Sequence, residues 1–173
     1  MIGIRTIAAL IWATTLTAAA TEKPPLAPPA DDPVAIVHAF VSALSNADLD
    51  GLLDTFTEDA TVFMPAVDQA RVARLAGKAA IREGFRPFFE TLRESDKGPP
   101  YMVLTPHDLT VQNLGATAIV TFHLGPLPEE PIDRPLSFSR RTFVVNRTDG
   151  GWRIVHLHAS NVVIEASASS DRK

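Results

Sequence analysis

The sequence predicts an α+β domain with helices packed on one side of a curved antiparallel sheet. Three observations carry this expectation. Apolar residues recur at helical spacing through the first half of the chain. From Tyr101 the period changes to alternation, in segments separated by turn residues. Helical and strand segments are segregated rather than interleaved, which is the α+β pattern.

Asp32 is placed to cap a first helix opening at Pro33, with Ile36, Val37, Phe40, Val41 and Leu44 on its inner face. The stretch 46–48 breaks it. Asp48 then caps a shorter helix that turns Leu49, Leu52, Leu53 and Phe56 inward. "ATVFMP", 60–65, reads as a short strand stopped by Pro65, and the polar residues 68–74 as a loop. A third helix over 77–94 directs Ile81, Phe85, Phe88, Phe89 and Leu92 to the core, with a bend or break expected at Gly84 and Pro87. Strands over 101–114 and 116–125 meet at a turn at 113–115. The prolines of 126–135 exclude a sheet interior and predict a loop. "LSFSRRTFVVNR" and "GWRIVHLHASNVVIE" form a hairpin around 148–151.

At 173 residues, 46% hydrophobic and 21% charged, the chain fits one globular domain with a real core. A net charge of -4, with Arg140-Arg141 the only adjacent arginine pair, argues against nucleic acid as the main partner, since phosphate neutralisation needs clustered cations. Residues 1–20 combine Arg5, an apolar stretch over 7–16 and Ala18-Ala19-Ala20. This is the pattern of a secretory signal peptide cut after Ala20, and the apolar run is too short for a comfortable membrane span. The expectation is a periplasmic or secreted protein with no stable span after cleavage. Residues 21–31, Pro-rich and without apolar period, read as a tether, 32–165 as the domain and 166–173 as a frayed tail. With no cysteine, export brings no disulfide, and stability must come from the core alone.

The chemistry-bearing stretch is "GWRIVHLHAS", 151–160. Strand alternation puts Trp152, Ile154, His156, His158 and Ser160 on one face, with successive Cα atoms on that face about 6.6–7 Å apart. A metal site, an acid–base pair and a hydrogen-bonded pocket wall all fit such a face. A metal needs a third ligand, and neither His38, His107 and His123 nor any carboxylate stands at tell-tale spacing, so no metal or cofactor is expected. The last two strands are apolar on both faces, while helices cover only one. Val155 and Leu157 are therefore expected to meet a second copy in a homodimer, or else to lie under the C-terminal tail.

The pattern Arg140, Thr142, Val144, Arg147 and Asp149 to Ser160 resembles the SnoaL-like branch of the nuclear transport factor 2-like superfamily. A similar tryptophan and His-x-His-x-Ser strand occurs in association domains of calcium/calmodulin-dependent kinases. "DLDGLLDTFTEDATVFMP" and "GKAAIREGF" agree, and the resemblance spans roughly 32–163. It implies a cone, a strongly curved sheet wrapped around N-terminal helices (a cystatin-like α+β barrel), with a pocket at the wide end. It also implies relatives that include polyketide cyclases, ketosteroid isomerases and dehydratases, in which a pocket carboxylate removes a proton beside a carbonyl.

Three functions follow as expectations. The first is binding of a small, partly apolar, anionic molecule, with His156, His158 and Arg140 as polar contacts and Tyr101, Trp152 and His38 beside them. The second is enzyme chemistry by proton abstraction, with a histidine or Asp59 as base and Arg140 or Tyr101 on the oxyanion. The third is an assembly module, which is what remains if Phe85, Phe88 and Phe89 fill the cone. Each residue also has a plainer reading. Arg140 can pair with Glu129, Glu130 or Asp133 at the surface, Asp59 can be a solvated turn residue, Tyr101 and Trp152 can belong to the core, and His38 can be merely packed.

Overall fold

The computed structural model describes residues 32–65, 74–125 and 136–164. The expected signal peptide, tether, Pro-rich loop and tail, and nearly all of the polar 68–74 loop, lie outside these residues. Helix α1 spans Val34–Ser45, one residue later than expected, and the Asp32 carboxylate accepts from the Val34 N–H at 2.9 Å. Helix α2 spans Leu49–Asp54, with the Asp48 carboxylate accepting from the Gly51 N–H at 2.9 Å. Asp48→Ala is expected to cost about 0.5–2 kcal/mol, read as a lower urea midpoint.

Strand β1 spans Phe56–Phe63, so Phe56 opens the strand instead of closing the helix. The short β2, Leu75–Ala76, pairs antiparallel with it. Helix α3, Lys78–Arg93, runs unbroken through Pro87, which corrects the expected break. Pro87 is exposed, where water can satisfy the carbonyl left without its N–H donor. A Cβ at Gly84 would come within 2.5 Å of the Leu75 Cδ1, so that side chain would have to shift to admit it. Strands β3 (Pro106–Asn113), β4 (Thr117–Leu124), β5 (Leu136–Thr148) and β6 (Gly151–Ile164) complete a sheet of order β2-β1-β6-β5-β4-β3. All neighbours are antiparallel except β1 and β6, which run parallel.

The sheet curves around the helices, and its concave face carries the core. Phe40 of α1 meets Phe143 of β5 edge-on at 5.0 Å, Phe143 meets Phe122 of β4 at 5.0 Å, and Phe56 closes on Phe40 at 6.1 Å. Ile81, Phe85 and Phe89 of α3 are buried in the same core.

One irregularity decides the faces of the last strand. Val144 pairs with His156, but Val145 pairs with Ile154, so Val155 is an extra residue on β6, a β-bulge. A bulge resets the alternation. Before it, Trp152 and Ile154 are buried; after it, Leu157 and Ala159 are buried, and His156, His158 and Ser160 point to the outer face. This corrects the expectation that Trp152 and the two histidines share one face. It also removes Leu157 from the outer surface, because its side chain is fully buried in the core.

Candidate functional site

The open end of the cone holds a cavity of about 440 Å³, within the ordinary range for small-molecule sites. The register of β4, β5 and β6 builds its wall. Leu124, Ser139 and Asn161 stand in register and line the cavity, and Arg141 follows on the same face of β5, in register with Phe122 and Ala159; Phe138 and Pro65 line it as well. Phe40 and Leu44 of α1, Phe85 and Phe88 of α3, and Met64, Met102 and Leu104 supply the remaining apolar surface. Phe85 and Phe88 line the cavity without filling it, and Phe89 is buried behind them.

Arg141 is the charged residue among the described residues that line this space. Its Nε and Nη1 are cut off from water and have no hydrogen-bond partner. Burial lowers its pKa to about 10, so the guanidinium remains cationic at neutral pH. Native structures rarely leave buried donors unpaired, so these two nitrogens call for a partner from outside the chain, such as a water, an ion or a ligand atom. On the same wall the Ser139 hydroxyl donates to the Ser160 carbonyl at 3.3 Å, leaving its lone pairs to the cavity side of the rim. No described Asp, Glu or His lines the cavity.

The sequence-predicted residues lie elsewhere. Arg140 is exposed on the outer face, in register with His123 and Ser160. Its neighbour Arg141 takes the inward position, so the expected arginine is displaced by one residue. Asp59 is exposed on β1 and His38 is exposed on α1. Tyr101 packs half-buried at the core edge, its N–H donating to the Ser45 carbonyl at 2.8 Å. Trp152 is core, with the Arg147 guanidinium 6.0 Å from its ring centre. The signal for Arg141 was present in the sequence as an arginine in alternation with Phe143 and Val145, the most apolar face of β5.

His156 and His158 form a separate cluster outside the cone. The Thr61 hydroxyl and His156 Nδ1 share a hydrogen bond of 2.7 Å, and the Phe63 ring lies 5.9 Å from His156 and 6.2 Å from His158. His158, with Ser160 and Asn161, borders a shallow depression that adjoins the rim at Met64 and Pro65. No group of three or more potential metal ligands converges among the described residues. Burial, then the charges of His158 and Arg74, hold the His156 imidazole below its ordinary value near 6.5. A depressed histidine contributes stability that is fully present above about 6.5 and is lost as pH falls through the folded value. His158→Gln is expected to raise the His156 midpoint toward its ordinary value, followed by the Cε1 proton in an NMR titration. An unmoved midpoint would remove the charge coupling between the two rings.

Among solved structures the chain is similar to a candidate calcium/calmodulin-dependent protein kinase type II association domain from Thiobacillus denitrificans. The identity is 25%, the TM-score 0.55, and the match covers 75% of this chain and 94% of that one. It is also similar to a candidate ketosteroid isomerase from Parabacteroides distasonis, at 21% identity and TM-score 0.54 over 75% of this chain and 87% of that one. A candidate dehydratase of the NTF2-like family from Streptomyces avermitilis matches at 20% identity and TM-score 0.56, covering 75% and 92%. The last two show the fold alone. No curated protein matches. The SnoaL-like domain matches residues 34–165, from α1 through β6, and the chain belongs to the SnoaL-like family.

Proposed function

We propose that this protein is an exported SnoaL-like domain that binds a small, partly apolar anion inside its cone. The observation that carries the reading is Arg141, half-buried as a residue but with Nε and Nη1 closed off from water and unpaired on the wall of a largely apolar cavity. A buried charge without a partner is costly, and an anionic ligand group removes that cost. Proton abstraction is the weaker reading, because the described cavity wall offers no carboxylate or imidazole to act as base. Export rests on residues 1–20 and predicts a mature chain beginning at Thr21, read by N-terminal sequencing. Native mass spectrometry of protein purified from its own host tests the binding reading. An acidic small molecule bound one to one, and lost in Arg141→Met, supports it. A ligand retained in Arg141→Met overturns the role of the arginine.

A homodimer through the outer sheet face is a second element of the proposal. The helices occupy the concave side, while Ile119, Val144 and Val155 stand half-buried on the convex one, beside exposed Phe63. Light scattering is expected to give twice the chain mass, falling to one in Val144→Glu.

A further inference from the structure

Arg141 does more than mark the cavity as anionic: its depth and its isolation restrict the ligand. It lies on the inward face of β5 between Ser139 and Phe143, and its Nε and Nη1 are closed off from water. A charged ligand head ordinarily stays at the mouth, where water solvates it. Here the more exposed part of the lining carries the polar Asn161 but is mainly apolar, with Phe88 43% exposed and Met102 and Leu104 half-buried. The charged partner is inside, and most of the exposed lining is apolar.

Charge balance adds the second restriction. One guanidinium faces the cavity, and no second Lys, Arg or His lines it among the described residues. A monoanion neutralises the site. A phosphate monoester dianion would leave a net negative charge in an apolar enclosure, which is heavily penalised. A planar carboxylate also matches the planar fork of a guanidinium better than a tetrahedral group does when only one arginine is present.

We propose that the ligand is an apolar monocarboxylate bound head-inward, its carboxylate on Arg141 and its apolar body extending outward to cover Phe88, Met102 and Leu104. This deepens the anion-binding reading and rests on it. The ligand's body then replaces water over the exposed rim, so affinity draws on both the ion pair and apolar burial.

The test uses full-length protein stripped of ligand and a neutral dye, N-phenyl-1-naphthylamine, to report cavity occupancy. Three competitors of one shape follow: 4-phenylbutyrate, its primary amide, and 4-phenylbutyl phosphate. The carboxylate is expected to displace dye at least about tenfold better than either other compound, as a single charge-assisted pair provides. In Arg141→Met that preference should vanish while the dye still binds, and Arg141→Lys should restore part of it. Nuclear Overhauser contacts from the phenyl ring should reach Phe88 and Met102 rather than the fully buried lining residue Phe40. If the dye binds and carboxylate and amide compete equally, the ion pair is wrong while the pocket stands. If the phosphate competes best, the monoanion assignment is wrong. Ring contacts to Phe40 alone would reverse the orientation. Failure of the dye itself to bind would overturn the cavity reading and this inference together.

Discussion

Replacing Arg141 by methionine is expected to stabilise the unliganded protein, by about 1–3 kcal/mol, and to raise its thermal midpoint by several degrees. Most substitutions in a folded interior destabilise, so the sign is the diagnostic. Burial lowers the guanidinium's pKa to about 10. Such a depressed cation would recover its cost only at strongly alkaline pH, above its ordinary unfolded value, so at neutral pH the fold carries the whole penalty. Methionine keeps an unbranched apolar stem and removes the two unpaired donors. Differential scanning calorimetry of ligand-free protein reads the effect. A large loss of stability would mean that Arg141 has a structural partner, and its assignment to a ligand would fall.

Phe143→Ala is expected to have the largest effect of the opposite sign, about 3–5 kcal/mol. Phe143 is fully buried in the core and packs edge-on against both Phe40, which lines the cavity, and Phe122. Truncation would open a void among rings that cannot collapse to fill it. Against a total stability of about 5–15 kcal/mol for an ordinary domain, that brings the protein close to unfolding. Urea denaturation followed by circular dichroism measures it. Phe88→Ala, at the exposed rim, is the contrasting case and is expected to stay within about 1 kcal/mol.

The fold was legible in the sequence, whereas the turn of β5 that brings Arg141 and not Arg140 to the cavity was not. Helix starts at Asp32 and Asp48, the apolar faces of α1 and α3 and the β5–β6 hairpin were readable, because capping and periodicity are local. The site depended on which face of β5 and β6 looks inward. Continuous alternation from Trp152 leads to the histidines inside, with Arg140 beside them. The extra residue at Val155 puts His156 and His158 on the convex face and leaves Arg141 on the concave one. No turn residue announces that bulge, since Val155 is an ordinary strand former. The parallel pairing of β1 with β6 was equally silent, because it joins segments almost a hundred residues apart.

The amino-acid sequence alone determined the α+β class, the family and most of the element order. The class and the element order follow from spacing along the chain, a property of the chain before it folds, and the family from the resemblance of its motifs. The tertiary structure decided which of two adjacent arginines enters the cone, and moved the paired histidines to the opposite face of the sheet. The physical reason is the two-residue period of a strand: one extra residue reverses inside and outside for everything beyond it. Only the packed sheet shows where that residue sits.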